Sequence, residues 1–349
     1  MRKSLLFITI LLLIIVAVGC GNNEPNGTAD SESDGDGSEP IVVKFGHSSA
    51  PGSARDAGAN KFKEIFEAET AGKYKVEVYP SGQLGGSTQQ IEAVQMGNQE
   101  MVIQPSSFLG GFQPIISLLD IPFLLPSEKD KLVELHKSDA ITSLLDTTKD
   151  VSIKTLGIWH TGFKEFTGPV ALNNPEAFKG LKFRAMPSPI IEEQFNILGA
   201  TPANIAFSET YNALQTGTID AQENPIDTTV DMKFHEVQDV ITMTDHGVLD
   251  QLIMVNNAFY QGLDEDTKAA MQKAFEEGRK ATLEKTYEKI DSSLEDLKNS
   301  ENVEIVEITE KEREAFKEAT EGIKDFYIEE NGNKGEELLK GIEDAIKGL

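Results

Sequence analysis

The chain has 349 residues, 39% of them hydrophobic, and a formal net charge of −26 with a single cysteine. That length exceeds what one hydrophobic core usually organises and suits two lobes. So acidic a chain is a poor nucleic-acid binder, because such binding depends on neutralising phosphates, and one cysteine excludes an internal disulfide.

Residues 1–20 read as a targeting segment. Arg2 and Lys3 form a basic start, Leu5 to Val18 is apolar, and Ala17-Val18-Gly19 precedes Cys20. The apolar run is short for a membrane-spanning helix. The position of Cys20 resembles a bacterial lipobox, in which the cysteine becomes the lipidated N-terminus; a signal that is simply cut off, or an uncleaved anchor, would share the other features. Residues 21–40 carry six acids, no base and almost nothing apolar, so they cannot offset their ordering entropy and read as a disordered tether.

Repeated β-α units follow. Strands are expected at Ile41–Gly46, Tyr74–Tyr79 and Met101–Gln104, with helices at Ala57–Glu69 and Thr88–Met96. Ile153–Trp159 reads as a strand crossing between lobes. From Gly180 to Pro225 the pattern is β-α-β-α-β: a strand Leu181–Ala185, a helix Pro189–Leu198, a strand Ala203–Phe207, a helix capped by Ser208, and a strand Ile219–Glu223. Val248–Val255 is an apolar strand. Asp264 caps a long helix reaching about Lys298 in which Gly278 is the one glycine, Val303–Ile308 alternates as a strand, and Thr309 with Glu312 forms a capping box. Gly335–Leu349 closes the chain as an amphipathic helix. In open α/β sheets, ligands collect beyond the carboxyl ends of the strands, where Arg184 and Asn224 fall.

Enzyme signatures are thin. The five histidines show no metal-ligand spacing, and neither a Gly-x-Ser-x-Gly elbow nor a phosphate-binding P-loop occurs. Neither an enzyme nor a cofactor is expected.

Several spaced motifs resemble one family. Lys182-Phe183-Arg184, Leu198-Gly199-Ala200-Thr201-Pro202, Phe207-Ser208-Glu209 through Gly217, and Asp220 through Pro225 stand in the order found in the extracytoplasmic solute receptors of tripartite ATP-independent periplasmic (TRAP) transporters, dicarboxylate-receptor (DctP) type. Phe45-Gly46-His47, the Tyr79 to Gly85 turn, Asp120 to Leu124, and His235 through His246 also fall in that order, so the resemblance covers most of the chain after Pro40. It implies an α/β fold of the two-lobed periplasmic-binding-protein type, with a ligand cleft between the lobes and a long helix bridging them. The lobes are expected to comprise residues 41–161 plus 250–289 and 162–249 plus 290–349.

The resemblance assigns Arg184 to the ligand carboxylate, which a guanidinium fork matches in two parallel hydrogen bonds. Asn224, presented by Pro225, is implied as a second contact. Lys164 stands where the family frequently has arginine; it keeps the charge but loses the fork, and a plain surface lysine is an equal reading. Phe207 suits a wall against the ligand's carbon chain, with core packing as the bland alternative. His47, Ser48, Gln104 and Ser106 are candidate polar contacts from the first lobe. The implied function is capture of a small organic carboxylate, a C4-dicarboxylate foremost, for delivery to TRAP permease subunits, with the receptor held on the outer face of the membrane by lipid at Cys20. A sugar acid is the alternative substrate, and presentation to a sensor kinase the alternative role.

Overall fold

A computed structural model of the chain describes residues 39–300 and 302–349. The signal segment, Cys20 and nearly all of the acidic tether lie outside the described residues. The described chain is a mixed α/β structure of the two-lobed kind. No helix among the described residues is long and apolar enough to cross a membrane.

Among the described residues nine strands form two sheets: β1 (Ile41–His47), β2 (Tyr74–Tyr79), β3 (Met101–Pro105), β4 (Ile153–Gly168), β5 (Lys182–Ala185), β6 (Thr201–Asn204), β7 (Gln222–Asn224), β8 (Val240–Asn256) and β9 (Glu304–Glu307). The main sheet runs β2-β1-β3-β8-β4-β7, with β9 added to β8. β1 is parallel to β2 and β3, whereas β8 is antiparallel to both β3 and β4. β5 and β6 form a separate parallel pair.

β4 and β8 are much longer than the alternation in the sequence suggests, at 16 and 17 residues. Their far halves, around Lys164 to Gly168 and Val240 to His246, are buried yet polar, because side-chain hydrogen bonds satisfy them. One end of β8 pairs with β3 and the other with β9, so the two strands run through the whole molecule. Their register shifts between His160 and Phe163. Gly162, at φ +103°, makes that irregularity possible, since a side chain is strained there and its Cβ would meet Pro225 at 3.0 Å.

The helix Glu265–Lys298 braces these parts. Asp264 caps it by accepting from the Thr267 amide at 2.7 Å. Its buried residues recur every three or four positions, from Ala270 through Gly278 and Thr286 to Leu297. Near its start it packs on Trp159 and the helix Ala54–Glu69; near its end Leu297 joins Ile226 and Ile241. The Thr309–Glu312 capping box is present. Several expectations differ locally: the strand expected at Ala203–Phe207 lies at Thr201–Asn204, and that expected at Ile219–Glu223 is Gln222–Asn224. Ser208 lies inside a 3₁₀ turn, Phe207–Glu209, and the helix Thr210–Gln215 has no side-chain cap. The last helix starts earlier, at Ile323, kinks at Gly332, and anchors through Tyr327 Oη on the Ile115 carbonyl at 2.9 Å.

Candidate functional site

β5 holds Arg184 from two sides. It pairs with β6 on one, and on the other the Arg184 amide donates to the Ala221 carbonyl at 2.9 Å. The side chain is 1% exposed. Its Nε donates to the Ile205 carbonyl at 3.2 Å, while Nη2 is buried with no partner. The guanidinium lies between two phenyl rings, 6.0 Å from the centroid of Phe108 and 5.9 Å from that of Phe207, a cation–π arrangement that fixes the fork without using its outer donors. Burial lowers the Arg184 pKa to about 10, opposed by the field of Glu223; the group remains cationic at neutral pH.

A narrow space of about 10 Å³, little more than room for one water, opens beside this fork, lined by Ser48, Arg55, Phe108, Arg184, Phe207 and Asn224, among others. Asn224 reaches it from β7, whose pairing with β4 sets Asn224 opposite Glu165. The Asn224 amide donates to Gln222 Oε1. Ser48 leaves the end of β1 and is oriented by Ser87 and by Gln104 Nε2, each at 3.0 Å. Four of the residues singled out in the sequence, Arg184, Asn224, Phe207 and Ser48, therefore converge on one space. Gln104 supports Ser48 from behind. Ser106 is buried at the start of the short helix Ser106–Leu109. His47 is fully buried, with Nε2 3.4 Å from Asp56 Oδ1, and does not line the space.

Lys164 also lies away from the lining. It is buried and ion-paired at 2.7 Å with Glu223 Oε1, whose other oxygen is 2.8 Å from His246 Nε2. Burial pushes the Glu223 carboxyl up, but Lys164 and His246 more than offset this and hold its pKa at about 2. Asp120 sits in the field of this group, accepting from Ser107 at 2.6 Å and Ser188 at 2.7 Å; burial raises its pKa. The network anchors β4, β7 and β8 directly behind Asn224.

Arg55 escaped the sequence reading. In Ser53-Ala54-Arg55-Asp56 it looks like an exposed residue of a helix's first turn, and no local pattern marks its burial. The structure leaves it only 5% exposed and brings it to the same space as Arg184. Burial lowers its pKa to about 10; Asp227 acts in the opposite sense, and Arg184 adds to the lowering. Among the described residues no hydrogen bond or ion pair within 4.0 Å engages its guanidinium. No group of three or more potential metal ligands occurs among the described residues. The site thus brings two buried cations, an amide, a hydroxyl and two aromatic rings to one narrow space, a set of donors and apolar surfaces that suits an anionic group.

The chain matches known proteins over nearly its whole described length. A family model, "Bacterial extracellular solute-binding protein, family 7" (DctP), matches residues 45–331. The C4-dicarboxylate-binding periplasmic protein DctP of Rhodobacter capsulatus is 35% identical over 298 residues, 84% of this chain and 88% of that one. Among solved structures, a TRAP periplasmic solute-binding protein from Desulfovibrio salexigens with bound orotic acid superposes with a TM-score of 0.85 at 31% identity, covering 88% of this chain and 99% of that one. One from Shewanella oneidensis with bound succinate gives 0.82 at 30% identity, with the same coverage. With the match spanning both sheets and the chamber between them, the chain belongs to the family 7 (DctP) bacterial extracellular solute-binding proteins.

Proposed function

We propose that this receptor captures a small organic carboxylate, foremost a C4-dicarboxylate, by closing two lobes around it, and delivers it to the membrane permease of a TRAP transporter. The observation that carries the reading is Arg184: a buried guanidinium with an unpartnered Nη2 needs an acceptor, and a carboxylate supplies two oxygens in the matching plane. Asn224 would donate to the same carboxylate, and Phe207 would flank the carbon chain. The relative named for C4-dicarboxylates and the neighbour with bound succinate support the substrate class, while the other neighbour has a different acid, orotic acid, bound.

In this proposal the lobes comprise residues 41–161 plus 250–289 and 162–249 plus 290–349. They hinge where β4 and β8 change register near Gly162. A ligand touching both lobes binds the closed form better and shifts the population toward it. Cys20 is proposed as the lipid attachment and the acidic segment after it as a leash, placing the receptor at the outer face of the cell membrane.

A sugar acid is the second reading, favoured by the hydroxyls of Ser48 and Ser87 at the chamber wall. A thermal-shift screen of the purified protein against dicarboxylates, monocarboxylates, uronates and aldonates separates the two, since a ligand bound only by the folded state raises the midpoint. A dicarboxylate response is expected, and Arg184→Ala is expected to abolish it while the fold persists. Micromolar binding retained by that variant would sink the Arg184 assignment, and a response confined to sugar acids would move the substrate.

A further inference from the structure

Arg184 is half of a pair. Arg55 enters the same chamber from the first turn of the helix Ala54–Glu69. A cation there faces the positive end of the helix, so local structure does not favour it. Neither guanidinium has an ionic partner within 4.0 Å among the described residues. Asp227 is the one carboxylate whose field on Arg55 is appreciable, yet it makes no ion pair with it, and its Oδ1 is itself buried and unpartnered. The lysine that would otherwise be the second cation is already neutralised by Glu223 at 2.7 Å. Two buried like charges lining one narrow space are unfavourable unless an anion of matching charge joins them.

Resting on the carboxylate-receptor reading above, we infer that Arg55 binds a second acidic group of the ligand, so that the chamber selects small dianions held between Arg55 and Arg184. The ligand's first carboxylate takes the open Nη2 of Arg184 and the second takes the Arg55 fork. The carbon chain between them passes Phe108 and Phe207. A monoanion of equal shape leaves one guanidinium buried and unpaired, and that unmade pairing is the source of discrimination. Arg55 is then the specificity-determining residue, and the acid chosen carries two ionised groups at neutral pH.

The test compares succinate, fumarate and L-malate, each with its monoamide, by titration calorimetry on the purified protein and on Arg55→Gln, Arg55→Lys and Arg184→Gln. The wild type is expected to bind its preferred diacid at least 100-fold more tightly than the monoamide. Arg55→Gln should erase that preference, weakening the diacid by about 100-fold and changing the monoamide by less than threefold, and Arg55→Lys should restore part of it. Arg184→Gln should weaken both. The ligand-free Arg55→Gln protein should also melt no lower than the wild type, since the change removes an unpaired buried cation. Equal weakening of diacid and monoamide in Arg55→Gln, no weakening of either, or a wild type indifferent to amidation would each overturn the dianion inference while leaving a carboxylate receptor. A wild type that binds none of the six compounds, and no other acid in the screen above, would overturn both.

Discussion

Lys164 Nζ lies 2.7 Å from Glu223 Oε1, and both side chains are essentially inaccessible to solvent. The cation that the sequence offers as a ligand contact is therefore already paired within the protein and does not line the space beside Arg184. Its worth to the fold comes less from mutual attraction, which desolvation largely cancels, than from the cost of leaving either partner alone.

Lys164→Met should accordingly cost about 3 kcal/mol or more, the range for breaking a buried pair. The double variant Lys164→Met with Glu223→Gln should recover at least half of that, because no buried charge is then stranded. Chemical denaturation of the four proteins closes the cycle. The Glu223 carboxyl is depressed from 4.5 to about 2, so its contribution is fully present above about pH 4.5 and is lost as pH falls toward 2. Glu223→Gln should flatten the acid limb of the stability curve over that window, and a variant whose acid limb matched the wild type would show that the pair is not ionised.

Gly278 and Gly58 face each other where the long helix crosses the helix Ala54–Glu69 over Trp159. A Cβ at Gly278 would sit 2.5 Å from Trp159 Cζ2 and 2.9 Å from the Gly58 carbonyl oxygen. Helix propensity alone makes Gly→Ala stabilising by about 1 kcal/mol in a helix interior. Overpacking against a buried indole and a backbone oxygen costs about 1–3 kcal/mol and should win. Gly278→Ala is expected to lower the thermal midpoint and to shift the emission of Trp159, the only tryptophan. A raised midpoint would mean that the crossing has room to open.

These cases separate what local sequence carries from what it does not. Asp264, Thr309 and Glu312 act within four residues of themselves, so their caps were legible. Arg184 and Asn224 stand in motifs that resemble a known family, and the structure brings both to one space. Arg55 was not legible, since the residues that line the same space range from Ser48 to Leu249 and leave no local pattern, and neither were the polar halves of β4 and β8. There Thr167, Thr242 and His246 interrupt the apolar alternation of a strand, and only their tertiary partners, Gln238, the Leu172 amide and Glu223, make burial tolerable.

Asp227 is a carboxyl whose burial works against the fold. Burial is the main cause that lifts its pKa from 3.8 to about 6. A raised carboxyl holds its proton more firmly when folded, so stability is fullest below about pH 3.8 and declines as pH rises toward 6, after which the penalty is constant. Asp227→Asn should therefore gain about 3 kcal/mol above pH 6 and nothing near pH 3.5. Midpoints of the two proteins measured across pH 3.5–7.5 give the difference curve directly. A difference independent of pH would mean that Asp227 is not the group responsible.

Asp250, in β8, presents the opposite case. It stands opposite His160 in the β4–β8 register, with its carboxylate 2.9 Å from His160 Nδ1 and 2.7 Å from His136 Nε2. Burial pushes this carboxyl up, but the two imidazoles more than offset it and hold it well below the usual carboxylate range. Its contribution is present at neutral pH and is lost only on strong acidification. Asp250→Asn keeps the shape but removes the charge that both rings face, so the cost should reach about 3 kcal/mol at pH 7. In urea the transition midpoint should fall with an unchanged slope, because the surface exposed on unfolding is the same. If instead the slope fell, the cluster would be holding the two ends of β4 and β8 in one cooperative unit, and its loss would let them unfold separately.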